Sequence, residues 1–376
     1  MTTQASVLTT KPHYQILDGL RGVAAVLVVL FHLFEAHASG PAEQIINHGY
    51  LAVDFFFVLS GFVIGYAYDD RWGRMSLKDF FRRRLIRLQP MVVMGMFIGA
   101  VCFFFGSEAM FPNIGQVSVW KLMLIFVIGS TLLPVPVSMD IRGWGEMHPL
   151  NGPAWSLFFE YIANILYALV IRRFSRTLLA LLVILAGGAL LHYAVTNPIG
   201  SLAGGWKLDA PQLRVGFTRL MYPFFMGLLM SRLNFRITVK YAFEWCSLLL
   251  LLALAFPRLG GTEHLWWNGL YEAFCVIVVF PLIVACGAGG QLTGSLFSKG
   301  CRFLGDVSYP LYITHYPIIY LYWNWVTPRQ LAWTEVWPST LLVALFCVMM
   351  AYACLKLYDE PVRKWLGKAF PGSGKQ

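Results

Sequence analysis

Apolar runs approaching the length of a bilayer crossing recur along this 376-residue chain, and they restrict its fold more than any other feature. A spanning α-helix needs about 20 predominantly apolar residues, while an isolated strand in hydrocarbon would leave its backbone groups unpaired. The runs fall at 17–36, 49–68, 91–105, 120–133, 155–171, 178–193, 215–230, 243–256, 270–286, 304–322 and 340–358. Charged residues make up 13% of the chain, about half the share usual in a soluble domain. The pattern predicts an all-α, polytopic membrane bundle.

Charge placement predicts its orientation. The segment 71–87 carries Arg71, Arg74, Lys78, Arg82, Arg83, Arg84 and Arg87, whereas the link 37–48 has no Lys or Arg. By the positive-inside rule the first is cytoplasmic and the second outside. The short run 120–133 is closed by Pro134 and Pro136, and alternation works if it is re-entrant or interfacial. About ten transmembrane helices then remain, with both termini cytoplasmic. The expected organisation is a cytoplasmic tail to residue 16, one transmembrane domain over 17–358, and a cytoplasmic tail over 359–376. The first ten residues are polar, so the first span is expected to serve as its own insertion signal. The net charge of +10 lies beside the spans, which argues against nucleic acid as a partner and for membrane lipid. The seven cysteines form no C-x-x-C pair, and no His/Cys/carboxylate cluster has metal-ligand spacing.

Ionisable groups inside apolar runs are costly and are by default candidates for function. Arg21 and His32 are eleven residues apart in the first run, which on a helix returns to within roughly 20° of the same face, about 16 Å along the axis. Arg21 also suits a snorkelling anchor, and Asp18 lies three residues before it, within ion-pair reach. An imidazole can take a proton from a hydroxyl and return it. Asp54, in the second run, is expected at a depth similar to His32, where a carboxylate could orient the ring. The other reading of Asp54 is a helix-end carboxylate among headgroups.

Ser156 and Glu160 share a helix face four residues apart. His315 follows Pro310 in the stretch YPLYITH and is either a core or a site residue. Arg219 is either an anchor or a ligand. The Arg82–Arg87 cluster is a solvated juxtamembrane face or a cradle for the phosphates of a nucleotide-bearing donor. No Walker or dinucleotide glycine pattern occurs, which argues against ATP and NAD.

The stretch LDGLRGVAAVLVVLFH resembles the opening of the membrane-bound acyltransferase family 3 proteins, with their R-x10-H motif falling on Arg21 and His32. Their F-F-x-x-S-G motif falls on Phe56, Phe57, Ser60 and Gly61. Their R-x-x-R looks like Arg84 and Arg87, with Arg83 beside them. Their tryptophan–serine–glutamate segment falls on Trp155, Ser156 and Glu160, and LGDVSYPLYITH and the terminal EPVR also look like theirs.

The resemblance implies a stand-alone O-acyltransferase of the cytoplasmic membrane. It would move an acyl group, usually acetyl, from acyl-CoA inside to a hydroxyl of a sugar or lipid-linked glycan outside, without a metal. His32 is then the expected general base, with Asp54 or Glu160 supporting it and Arg21, Ser60, Arg83, Arg84 and Arg87 on the donor side. A transporter of glycans or small solutes is the competing class. The absence of an internal repeat weighs against it.

Overall fold

The computed structural model describes residues 11, 13–40, 43–292 and 294–371. Most of the expected N-terminal tail and the last five residues lie outside these. Among the described residues every regular element is helical. The first run forms α1 (Gln15–Glu35) and the second α2 (Ala52–Tyr68), entered through a 3₁₀ turn at Gly49–Leu51. The third is longer than its apolar core suggests. Ser76 caps α3 (Leu77–Phe103), its Oγ accepting from the Asp79 N–H while the Asp79 carboxylate reaches back. This capping box starts the helix fourteen residues before the expected 91, so the arginine cluster 82–87 occupies helical turns.

There follow α4 (Val119–Ser130), α5 (Ala154–Leu169), α6 (Arg176–Thr196), α7 (Ala210–Leu233) and α8 (Ala242–Ala255). Next come α9 (Trp266–Phe274) and α10 (Phe280–Gly289), joined into one rod by a π segment, Cys275–Val279. The 32-residue α11 (Ser295–Val326) precedes α12 (Trp333–Cys354) and α13 (Glu360–Ala369), again joined by a π segment. The C-terminal stretch expected as a tail thus continues the last rod to Ala369.

By length and composition six helices among the described residues can cross a membrane: Gln15–Glu35, Gly49–Arg71, Leu77–Phe103, Arg176–Thr196, Trp266–Gly289 and Trp333–Ala369. The helices α6 and α12 bury little of themselves and turn Ile184, Leu185, Leu342 and Leu345 outward. An apolar exterior of this extent is stable only against lipid, and the chain is a membrane protein.

Two parallel helix pairs form the centre. Along α1 and α11, Arg21 meets Gly305 and Ser308 at one end, and Trp323 donates to the His32 carbonyl at the other (2.8 Å). Along α2 and α7, Asp54 meets Arg219 at one end and Asp69 meets Arg232 at the other. The second pair touches backbone to backbone. A Cβ on Gly61 would lie 1.9 Å from the Phe224 carbonyl, and one on Gly227 would lie 2.0 Å from that of Val58. Small residues let helices approach this closely where no hydrophobic effect drives them together.

Prolines open the helices, and side chains close the gaps. A proline leaves the carbonyl four residues earlier without its helical partner. Asn151 donates to Ile313 O (2.6 Å) below Pro317, and Tyr222 donates to Ile277 O (2.9 Å) below Pro281. The twelve-residue α4 is only about 18 Å long. Its last residue, Ser130, accepts from Gln89 part-way along α3, and the chain then turns back, with Leu132 O bonded to the His148 ring (3.1 Å).

Candidate active site

Three cavities lie in line through the two central pairs. The first, about 530 Å³, opens at the His32 end and has walls that include Glu35, Trp144, Glu146, Trp155 and Trp323. Val53 and Tyr312 line both it and a middle cavity of about 130 Å³. Arg21, Arg87 and Tyr309 in turn line both the middle cavity and a third, of about 590 Å³, at the other end. The walls are therefore continuous from the His32 end of α1 to beyond its Arg21 end.

In the outer cavity His32 presents its ring with Nδ1 3.1 Å from Glu35 Oε2. The two are three residues apart on α1, a spacing that puts them on one face. A carboxylate there accepts a hydrogen bond from Nδ1–H, the tautomer that leaves Nε2 with its lone pair. The His32 ring is stacked on that of His315 (centroids 5.7 Å apart, planes at 27°). His315 is fully buried, with Nδ1 bonded to the carbonyls of Leu311 and Tyr312, and its Nε2 has no partner among the described residues.

Neither Asp54 nor Glu160 touches that histidine. Asp54 is fully buried and bidentate to Arg219, whose Nη2 lies 2.7 Å from Oδ2 and whose Nε lies 3.2 Å from it. Arg219 also donates to the carbonyls of Gly204 and Tyr50 and sits over the Trp155 ring. Glu160 belongs to the middle cavity, where it accepts from Ser60 Oγ (2.9 Å) and Arg84 Nη2 (2.6 Å). Oppositely charged groups in low dielectric pair with the nearest partner, and each of these carboxylates has a guanidinium closer than the imidazole.

Among the other expected residues, Phe56, Phe57, Ser156 and Ser60 line the middle cavity. Ser156 Oγ bonds the Tyr312 hydroxyl (2.6 Å), and Phe56 meets the Tyr312 ring edge-on. Arg21 donates to Ser308 Oγ (2.7 Å) and Gly305 O (3.0 Å) and pairs with Asp18 (3.2 Å). Arg87 points into the shared wall with no carboxylate within ion-pair distance among the described residues. Arg83, by contrast, is exposed and lines none of the three cavities.

Sequence reasoning gave no role to Glu35, Tyr312 or Glu146. Glu35 was legible from its spacing to His32, but it lies past the core of the apolar run. Glu146 sits in the loop before α5 and accepts a hydrogen bond from Tyr320 (2.5 Å); burial pushes its carboxyl up to about 7, opposed by that bond and by Arg142. Among the described residues there is no cluster suited to a metal ion.

Residues 14–358 match the family described as acyltransferase domain, acyltransferase 3. The chain is 26% identical over 367 residues to O-acetyltransferase OatA of Staphylococcus aureus, covering 94% of this chain and 58% of that protein. It is 26% identical over 369 residues to peptidoglycan O-acetyltransferase OatA of Listeria monocytogenes, covering 93% and 55% respectively. A shorter match, 34% over 160 residues, is to protein 2 in the picA locus of Rhizobium radiobacter, covering 41% of this chain and 80% of that one. The chain thus spans a little over half the length of these two OatA proteins. No solved structure matches. With nearly its whole length matched, from the start of α1 to just before α13, the chain belongs to the acyltransferase 3 family.

Proposed function

We propose that this protein is a membrane O-acyltransferase, taking an acyl group, acetyl in the first instance, from acyl-CoA at the cytoplasmic face. It delivers the group to a hydroxyl of a sugar or lipid-linked glycan at the outer face. The observation that carries this reading is the line of cavities, with an imidazole–carboxylate pair in the outermost and guanidiniums at the innermost. The inner cavity is lined by Arg21, Arg87, Arg302, Arg363 and Lys364 beside Asp18, Asp306, Asp359 and Glu360. Arg21 pairs with Asp18 and Arg363 with Asp359, so Arg87, Arg302 and Lys364 are the cations best placed for the phosphates of the donor. Arg84, engaged by Glu160, acts on the middle cavity rather than on phosphate.

In this reading His32 Nε2 accepts the proton of the acceptor hydroxyl while that oxygen attacks the thioester carbonyl. The carbon–sulfur bond breaks, the imidazolium gives its proton, directly or through water, to the departing thiolate, and the thiol product leaves towards the cytoplasm. Glu35 holds Nδ1–H and stabilises the imidazolium. The chain crosses the bilayer about ten times with both termini cytoplasmic, and α4 is re-entrant, its end beside Gln89 supporting this. Residues 17–358 form the one catalytic domain.

The test is binding and slow hydrolysis of acetyl-CoA by protein in nanodiscs, with His32→Ala alongside. Thioester loss should fall by on the order of 10²–10⁴ in the variant while binding persists. Equal hydrolysis by both proteins overturns the role of His32, and absence of acetyl-CoA binding overturns the transferase in favour of a transporter.

A further inference from the structure

A fourth cavity, about 560 Å³, lies beside the outer one and shares Trp144 with it. Its walls are polar. Asn113, Gln116 and Ser138 carry side-chain donors and acceptors that take no partner among the described residues, and Lys207 has neither a hydrogen bond nor an ion pair there. Lys121 donates to the Asp140 carbonyl (3.3 Å). Such planar amides, a hydroxyl and ammonium groups match the hydroxyls and ring substituents of a sugar.

The Trp144 loop is built to hold its shape. The Asp140 carboxylate accepts from the Arg142 N–H (2.9 Å) and from the Gly145 N–H (2.7 Å). Gly143 and Gly145, at φ +89° and +69°, flank the indole in the left-handed region that glycine tolerates best. The indole is half-buried, resting against Phe111, Tyr320 and Trp323, and Trp323 is itself against His32. A continuous aromatic wall therefore runs from His32 to the polar groove. An indole offers a flat apolar face to the C–H side of a pyranose and an N–H at its rim, a combination a lipid tail would not use.

We propose that this groove is a second glycan subsite, so that the acceptor is an oligosaccharide or polymer. One sugar stands at His32 in the outer cavity and its neighbours cross Trp144 into the groove. The inference rests on the proposed transfer to a sugar hydroxyl and adds the length of the acceptor and the residues that read it. The two lysines against one carboxylate, itself taken up by backbone N–H groups, leave the groove able to accept acidic sugars.

The test uses the full chain in nanodiscs on an array of glycans of one to eight sugars, wild type beside Asn113→Ala/Gln116→Ala and Lys207→Ala. None of the three residues touches the His32 cavity. The expected result is capture of chains of three or more sugars at least about tenfold above the matching mono- and disaccharides, with that preference lost in the variants. Capture that is independent of length, a preference unchanged in the variants, or no glycan captured at all overturns the subsite. His32-dependent acetyl-CoA hydrolysis is measured on the same samples. Its persistence beside a failed array leaves acyl transfer standing without the subsite. Its absence beside length-dependent capture leaves the subsite standing without the transferase.

Discussion

Glu35 lies one helical turn beyond His32 and is half-exposed at the cavity, so its charge is partly screened. Its work in the proposed reaction is orientation more than charge. Glu35→Gln, which keeps a hydrogen-bond acceptor, should lose about tenfold in turnover, against the much larger loss in His32→Ala. The check is the pH profile: a positioning carboxylate moves the acidic limb, set by the general base, when neutralised, and a bystander does not. Glu146 gives a second test. Its folded value of about 7 lies above the ordinary 4.5. Between these, the unfolded chain has released the proton that the folded one still holds. Stability should fall as pH rises from about 4.5 to 7 and level off above, and Glu146→Gln should flatten that slope in thermal unfolding. Arg21 and His32 stood out in the sequence because charge in an apolar run is visible without any partner. The partners were not visible. Arg219 meets Asp54 across 165 residues of chain, and no local pattern encodes which of two carboxylates an arginine finds.

At the scale of elements, hydropathy located the eleven apolar runs because the period and length of a membrane helix are set by the bilayer. It misplaced the start of α3, since a capping box at Ser76 outweighs the hydropathy of the turns that follow. The parallel contact of α2 and α7 carries two consequences. Gly61→Ala would press a methyl group into the Phe224 carbonyl, and overpacking of this kind costs about 1–3 kcal/mol, read as a lower melting temperature in detergent. Asp54→Asn leaves Arg219 buried without its counter-charge, a loss typically of about 3–5 kcal/mol when one partner of a buried pair is removed. A double change of Asp54 and Arg219 to apolar residues should recover folded yield on size-exclusion chromatography where the single change does not. If both single and double variants fold like the wild type, the pair is not what fixes the helices.

For the molecule as a whole, the line of cavities divides the protein at one place. Between the outer and middle cavities stand Val53 and Tyr312, the tyrosine held by Ser156 and braced by Phe56. On one side of them lies the cavity at the His32 end, and on the other the walls lead to the arginines. In the proposed transferase the same tyrosine that admits an acyl group has also to hold back ions, because a membrane that stores a proton gradient cannot tolerate an open duct. Its bond to Ser156 acts as a seal as much as a wall. Vesicles carrying Tyr312→Gly should lose an imposed pH gradient faster than those carrying the native protein. In that transferase the small middle cavity would keep the protein part of an electrical insulator.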